Sequence, residues 1–239
     1  MATFERGGVS IHYEERGSGF PILLIAPGGM RSTIGAWANA PWNPIEHLEP
    51  HFKVIVMDQR NAGHSRAPIR STDGWQVYTE DQIALLDHLG VDQFHVAGMC
   101  IGGPYCMGLV RAVPDRVAAA VLFQPIGLDD NRQAFFDMFD SWAEELKPDR
   151  DDVDPEAWEA FKRSMYAGDF LFNVSREFVA GCSTPLLVLC GRDLYHPEST
   201  SREIVALAPN AELIERWKEP ENQEAARARV LEFLVAHTP

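Results

Sequence analysis

The stretch that decides the fold is Phe94-His95-Val96-Ala97-Gly98-Met99-Cys100-Ile101-Gly102-Gly103, where an apolar strand runs into a small-x-Cys-x-small pattern. The pattern predicts a sharp strand-to-helix turn with Cys100 at its apex. Glycine is expected at positions 98 and 102 because a Cβ at either one would collide with the neighbouring strand or helix. Gly103 and Pro104 suit the start of the following helix. The stretch therefore predicts a nucleophile elbow in which cysteine takes the place of serine.

The thiol of Cys100 is the reactive group that this turn predicts. At the apex its sulfur would face a helix N-terminus, whose free N–H groups and dipole favour an anion. Such surroundings lower the pKa of a thiol below its free value and give it thiolate character. The alternative is that Cys100 is a small buried hydrophobe in a tight turn, as most free cysteines are.

Outward from the elbow, short apolar runs alternate with amphipathic segments. The predicted buried strands are residues 22–25, 54–57, 94–97, 117–123 and 186–189. Residues 81–89 and 221–235 have the spacing of helices. This alternation predicts an α/β fold with a doubly wound, mostly parallel sheet. Before it, residues 9–14 and the segment from Phe20 flank Arg16-Gly17-Ser18-Gly19, which predicts an antiparallel hairpin feeding the first central strand.

Between residues 128 and 179 the strand rhythm stops, and an aromatic-rich helical stretch replaces it. Its aromatic residues are Phe135, Phe136, Phe139, Trp142, Trp158, Phe161, Tyr166, Phe170 and Phe172. We predict a helical lid at 128–179, inserted in a core made of residues 1–127 and 180–239. A simpler interpretation, that most of these aromatics only pack the insertion onto the core, stays open.

Length and charge limit the classes of partner. The 239 residues suffice for one large core, and a net charge of -14 makes nucleic acid or an anionic membrane an unfavourable partner. The N-terminal eight residues are polar, and no apolar run is long enough to span a bilayer. Four cysteines without C-x-x-C spacing argue against a disulfide framework or a zinc site. We therefore predict a cytoplasmic protein; whether it forms a homo-oligomer stays open.

The motifs along nearly the whole chain resemble those of the α/β-hydrolase superfamily. Asp58-Gln59-Arg60-Asn61-Ala62-Gly63-His64-Ser65 looks like the family's D-x-R-G-x-G-x-S loop, with Asn61 replacing a glycine. Ala26-Pro27-Gly28-Gly29-Met30 takes the place of its oxyanion loop, without the usual histidine. The resemblance implies that an N–H of Gly28 or Gly29 pairs with that of Ile101 to stabilise an oxyanion.

The sequence has a counterpart for the family's catalytic acid but not for its catalytic histidine. Pro185-Leu186-Leu187-Val188-Leu189-Cys190-Gly191-Arg192-Asp193 resembles the late strand followed by G-x-x-D, so Asp193 corresponds to the triad acid. The family's histidine follows the next strand, but Arg216-Trp217-Lys218-Glu219-Pro220 contains none. The chain therefore resembles a variant that has a Cys nucleophile and lacks the usual C-terminal His.

His196, three residues after Asp193, is the predicted replacement base. Three residues span at most about 10 Å, so a turn can bring the carboxylate against one ring nitrogen while the other faces the thiol. The predicted triad is Cys100, His196 and Asp193, as nucleophile, base and orienting acid. The alternative is that His196 only lines a pocket or caps the next helix. His64 fits a hydrogen-bonding role in its loop better than catalysis, and His237 lies at a frayed helix end.

Three functions are compatible with these residues. The first is a cysteine-dependent hydrolase that cleaves a small ester, lactone, thioester or other activated acyl compound through an acyl-enzyme, as the resemblance to thiol-bearing members such as dienelactone hydrolases implies. The aromatic lid favours an apolar or aromatic small-molecule substrate. The second is a non-hydrolytic reaction on the same scaffold: carbon–carbon cleavage, decarboxylation or acyl transfer. The third is a catalytically silent ligand-binding member of the fold.

No cofactor or metal is predicted from the sequence. The glycine clusters lack the G-x-x-x-x-G-K spacing of a phosphate-binding loop. His196 has no neighbouring set of metal ligands in the sequence. The predicted chemistry therefore uses only side chains and backbone amides.

Overall fold

One eight-stranded sheet forms the centre of the computed structural model, which describes residues 2–239. The strands are β1 (Ala2–Arg6), β2 (Val9–Arg16), β3 (Pro21–Ile25), β4 (Lys53–Met57), β5 (Phe94–Met99), β6 (Val117–Phe123), β7 (Leu186–Leu189) and β8 (Ala211–Ile214). Their order across the sheet is β1-β2-β4-β3-β5-β6-β7-β8. The strands from β4 to β8 run parallel, and β1 and β2 are antiparallel to their neighbours. The predicted α/β fold with a mostly parallel sheet is confirmed.

The N-terminal hairpin differs from the prediction. β2 pairs with β1 and with β4, and not with the segment from Phe20, which becomes β3. Both edges of β3 are occupied by parallel neighbours, β4 and β5. Gly17 has a positive φ of 69°, and a Cβ there would lie 2.5 Å from the carbonyl oxygen of Phe52. The turn at Gly17 therefore passes the residue that precedes β4, and β3 does not fold back onto β2.

Within residues 2–239, eight α-helices connect or flank the strands. They are α1 (Pro44–Leu48), α2 (Trp75–His88), α3 (Gly102–Ala112), α4 (Arg132–Leu146), α5 (Pro155–Tyr166), α6 (Arg176–Ala180), α7 (Glu198–Leu207) and α8 (Pro220–Ala236). Alternate residues of each central strand enter different cores, as Leu23 and Ile25 on one face and Ile22 and Leu24 on the other show. Both faces of the sheet are therefore covered, which explains the continuous apolar runs of its strands.

The segment at 128–179 is helical and contains α4, α5 and α6. Phe135, Phe139, Trp142 and Phe161 from this segment are almost fully buried in the core on one face of the sheet. The Trp142 indole donates a hydrogen bond to the carbonyl oxygen of Asn61, at 3.3 Å. These aromatics attach the segment firmly to the core; its role as a lid stays a prediction.

None of the helices in residues 2–239 combines the length and the apolar composition needed to cross a bilayer.

Candidate active site

Cys100 lies at the apex of a tight turn between β5 and α3. Its φ of 61° is a left-handed conformation, which costs a residue with a side chain about 1–3 kcal/mol. Its N–H donates to the Phe123 carbonyl at 3.0 Å, and its carbonyl accepts from Gly103 at 3.0 Å and Ile126 at 3.2 Å. The backbone around the thiol is thus held by strand β6 and by the helix that it precedes.

Gly98 and Gly102 allow α3 to approach β5 and β3 closely, as their positions in the sequence predict. A Cβ on Gly98 would lie 2.5 Å from the carbonyl carbon of Gly102 and 2.8 Å from the sulfur of Cys106. A Cβ on Gly102 would lie 2.6 Å from the carbonyl oxygen of Ile25. Either side chain would push the strand and the helix apart and move Cys100 between them.

Two backbone amides lower the pKa of the Cys100 thiol. The N–H of Ile101 comes from the start of α3, and the N–H of Gly28 comes from the loop after β3. Gly28 has a φ of 120°, and its carbonyl accepts from the Arg31 N–H at 3.0 Å in a short 3-10 turn. Gly29 also lines the cavity, but the amide that lowers the pKa of the Cys100 thiol is that of Gly28.

Asp193 and His196 form a compact pair on the loop after β7. His196 Nδ1 lies 2.6 Å from Asp193 Oδ1, and the same oxygen accepts from the N–H groups of Tyr195 and His196, each at 3.1 Å. A Cβ on Gly191 would lie 2.5 Å from the His196 carbonyl oxygen, so only glycine lets the loop fold back this closely. The buried Nε2 of His196 has no hydrogen-bond partner in residues 2–239.

The electrostatics of the three side chains favour an ion pair. Burial raises the pKa of the Cys100 thiol, but the imidazole of His196 and the amides of Gly28 and Ile101 outweigh it, and the pKa is lowered. Burial likewise opposes protonation of His196, yet the Cys100 thiolate and the Asp193 carboxylate raise its pKa. Burial would raise the pKa of Asp193, but His196 and then Lys218 lower it. The arrangement therefore favours the thiolate of Cys100 and the imidazolium of His196 more than the ordinary pKa of each group would.

Lys218 is a further charged neighbour of Asp193 that no sequence motif indicates. Its Nζ lies 3.7 Å from Asp193 Oδ2, on the side of the carboxylate away from His196. The preceding residue, Trp217, is buried and donates from its indole to the Cys190 carbonyl at 2.9 Å. A lysine directly after a buried tryptophan is no recognisable motif, so the sequence carried no signal for this contact.

A cavity of about 240 Å³ opens beside the thiol. Its lining residues are Gly28, Gly29, Cys100, Ile101, Ile126, Phe135, Met138, Tyr195 and His196. Apart from the thiol, the imidazole, the Tyr195 phenol and the amides, its walls are apolar. Larger open depressions of about 510 and 810 Å³ lie elsewhere on the surface and are lined by other residues. The small cavity is the place where a ligand would meet Cys100 and His196 together.

Helix α4 packs over the loop that carries Gly28. The sulfur of Met138 occupies the space that a Cβ on Gly29 would need. Arg31 forms a two-point ion pair with Glu145, at 2.8 and 2.7 Å, and donates to Ser141 Oγ at 3.0 Å. Met138 and Phe135 thereby become cavity walls attached to the loop that carries Gly28 and Gly29.

The remaining predicted residues lie outside this cavity. Asn61 adopts a φ of 57°, which asparagine tolerates and which explains how it can replace a glycine. His64 Nδ1 lies 3.3 Å from Asp58 Oδ2 within its own loop. His237 Nδ1 lies 2.8 Å from the Phe233 carbonyl oxygen, at the end of α8.

Comparisons with known proteins agree with this architecture. RutD of Azorhizobium caulinodans, a protein named for carbamate hydrolysis, is 37% identical over 119 residues, which are 48% of this chain and 41% of RutD. The 2-hydroxymuconate semialdehyde hydrolase of Pseudomonas sp. strain CF600 is 29% identical over 122 residues, 51% of this chain and 42% of that enzyme. The match thus spans about two fifths of each of these relatives.

A solved structure and a family model extend the likeness. The meta-cleavage product hydrolase CumD of Pseudomonas fluorescens IP01, in a mutant complexed with acetates, has a TM-score of 0.72 at 20% identity, over 100% of this chain and 98% of CumD. That likeness shows a shared fold. Residues 21–157, more than half of the chain, match the family model described as the alpha/beta hydrolase fold, and this protein belongs to that family.

Proposed function

We propose that this protein is a cysteine-dependent hydrolase of small activated acyl compounds, such as esters, lactones or thioesters. The observation that carries the proposal is one cavity lined by the Cys100 thiol, the His196 imidazole and the backbone of Gly28 and Ile101. The relatives named as hydrolases support the reaction class, and the lowered pKa of Cys100 supports a thiolate nucleophile.

In the proposed reaction the Cys100 thiolate attacks the substrate carbonyl carbon, and the carbonyl π pair moves onto oxygen. The N–H groups of Gly28 and Ile101 stabilise that oxyanion; one such donor contributes on the order of 3 kcal/mol. The imidazolium of His196 protonates the leaving group as its bond to carbon breaks, which leaves an acyl-thioester on Cys100. Neutral His196 then takes a proton from water, whose oxygen attacks the thioester and releases the acid and the thiolate.

Asp193 has the role of an orienting acid in this scheme. Its 2.6 Å contact with Nδ1 leaves Nε2 as the nitrogen that faces the thiol. The carboxylate stabilises the imidazolium of the resting pair, which is consumed in acylation and forms again when His196 takes a proton from water. Lys218 is a positioning residue because it contacts Asp193 and keeps that carboxylate ionised.

The cavity supports a short, uncharged acyl group as the substrate class. Its volume is small for a ligand site, and Ile126, Phe135, Met138 and Tyr195 make its walls apolar. The only ionisable groups among its lining side chains are the Cys100 thiol, the His196 imidazole and the Tyr195 phenol. In this proposal the segment at 128–179 acts as the lid, since Phe135 and Met138 belong to α4.

The decisive experiment is mass spectrometry of the protein quenched during turnover of p-nitrophenyl butyrate. We expect a butyryl group on Cys100, a burst of nitrophenol, and loss of both in Cys100→Ala. Cys182→Ala is the matched thiol control, because Cys182 is buried and does not line the cavity. A wild-type protein that neither acylates nor turns over, while still binding apolar ligands, would point instead to a catalytically silent binder.

The role of His196 is tested separately by the rate of Cys100 alkylation against pH. We expect His196→Ala to shift the profile to higher pH, because the thiolate loses its cationic neighbour. His64→Ala is the matched control, since His64 also contacts an aspartate but does not line the cavity. An unchanged profile in His196→Ala would remove His196 as the partner of the thiol.

A further inference from the structure

Outside the Cys100 cavity, two histidines and an aspartate converge at the surface of the N-terminal half. His12 lies on β2, Asp58 directly follows β4, and His64 belongs to the loop after Asp58. Each offers one nitrogen or oxygen ligand atom, and these atoms all lie within 4.8 Å of one another. We propose that His12, Asp58 and His64 form a binding site for a divalent transition-metal ion, with Zn²⁺ as the ion that fits best.

The backbone brings the three residues together independently of any ion. The Asp58 N–H donates to the His12 carbonyl at 3.0 Å, and the His12 N–H donates to Ser65 Oγ at 2.9 Å. Ser65 Oγ in turn donates to the Asp58 carbonyl at 2.8 Å. The site is therefore preorganised, which lowers the entropy cost of assembling the ligands.

The spacing suits tetrahedral coordination. Zinc binds imidazole nitrogen and carboxylate oxygen at about 2.0–2.2 Å, so two ligand atoms in a tetrahedral site lie about 3.3 Å apart. His64 Nδ1 and Asp58 Oδ2 are already 3.3 Å apart. Since no pair exceeds 4.8 Å, the largest closure needed is about 1.5 Å. The His64 side chain is 74% exposed and free to rotate by that amount, and a water molecule can take the fourth position.

Few hydrogen bonds of the loop compete with an ion. Asp58 Oδ1 accepts from the Ile34 N–H at 2.8 Å, and Oδ2 accepts from the His64 N–H at 2.9 Å. Oδ2 also contacts His64 Nδ1 at 3.3 Å, and the ion would replace this longer contact between two of its own ligands. The His12 ring is buried and packs edge-on against His64, with centroids 5.0 Å apart. In residues 2–239 neither ring nitrogen of His12 is hydrogen-bonded, although its backbone N–H is. A ring nitrogen of His12 can therefore bind an ion without breaking a hydrogen bond within residues 2–239.

Ligand type and charge favour zinc over the hard cations. Two imidazoles and one carboxylate suit zinc and neighbouring transition metals, whereas magnesium and calcium prefer oxygen ligands. The net charge of -14 raises the local concentration of cations around the protein. None of the three residues lines the Cys100 cavity, so the site is separate from the proposed catalysis.

The test uses full-length protein carrying Cys100→Ser, so that the reactive thiol cannot bind the probe. After chelator treatment and dialysis, Co²⁺ is added and the visible absorption of four-coordinate cobalt is followed, and Zn²⁺ is then added as a competitor. We expect one Co²⁺ per chain, displaced by one Zn²⁺, and a rise of the melting temperature with Zn²⁺. Absence of saturable cobalt absorption would overturn the proposal.

The deciding variant is His64→Ala in the same background. Because His64 is exposed, this variant should melt like its parent without metal, and its affinity for Co²⁺ should fall by at least about tenfold. His12→Gln should lose affinity as well, but its burial makes His64→Ala the cleaner comparison. His51→Ala, which removes another exposed histidine, should bind as the parent does. Equal affinity in His64→Ala and its parent would refute the site.

Discussion

Substituting Gly102 tests the close packing on which the elbow depends. In Gly102→Ala the new Cβ would lie 2.6 Å from the carbonyl oxygen of Ile25, whereas carbon and oxygen normally approach to about 3.3 Å. The overlap of about 0.7 Å involves the backbone of central strand β3, which is paired on both sides and cannot yield easily. We expect a cost of about 2–3 kcal/mol, partly offset by the better helix propensity of alanine.

The net loss of about 2 kcal/mol should lower the melting temperature by about 4–8 °C in a protein of this size. Activity should fall further than stability explains, because α3 must move away from β3 and take the Ile101 N–H with it. Loss of one oxyanion donor reduces kcat by about 10²–10³. The measurements are calorimetry or urea unfolding for stability, and kcat with p-nitrophenyl butyrate for the site.

Gly181→Ala is the matched control, since a Cβ there meets its neighbours only at 3.6 Å or beyond. Because its φ is negative, alanine should leave stability unchanged or raise it by about 0.4–1 kcal/mol. If Gly102→Ala and Gly181→Ala had the same melting temperature and Gly102→Ala kept the wild-type kcat, the packing argument for the elbow would be wrong.

Three further predictions concern the site. Asp193→Asn should keep the fold but lower kcat about 10³–10⁴-fold, because an amide no longer stabilises the imidazolium. Circular dichroism tests the fold, and steady-state kinetics measures kcat. Since the folded pKa of Asp193 is depressed, wild type should be more stable than Asp193→Asn above the ordinary aspartate value of 3.8, and the difference should vanish as pH falls through the folded value. Iodoacetamide should modify Cys100 at lower pH than Cys182, whose pKa burial raises, and equal profiles would contradict the thiolate. Finally, kcat/KM for p-nitrophenyl butyrate should be at least about tenfold higher than for the corresponding monosuccinate ester, because the apolar walls offer no partner for a carboxylate. Comparable values for the two esters would contradict the assignment of an uncharged acyl group.

Local sequence was informative wherever short-range geometry controls the structure. The glycines around Cys100 and the spacing of Asp193 and His196 have consequences within a few residues, and the structure brings these groups together as their spacing suggested. Asn61 is a similar case, because asparagine is among the few residues that tolerate its left-handed backbone.

Contacts that depend on strand order could not be predicted in the same way. The hairpin prediction failed because β4 pairs with β2, although it follows β3 in the sequence. β3 therefore pairs with β4 and β5 instead of β2. The grouping of His12 with Asp58 depends on that same pairing of β2 with β4. Both features require long-range register, which single-sequence patterns do not contain.

Because the acid and the base lie on one short loop, local contacts within that loop fix their relative position. The resemblance implies a base after β8, but the segment there contributes a buried Trp217 and a lysine that contacts Asp193. Asp193 instead accepts from the ring and the backbone of His196 within a single turn. Movement of β8 or α8 therefore cannot separate acid from base, whereas displacement of the turn would remove both from Cys100 together. In the proposed enzyme, Gly191 and the turn that it permits determine activity as directly as the two side chains do, because only glycine fits beneath the His196 carbonyl.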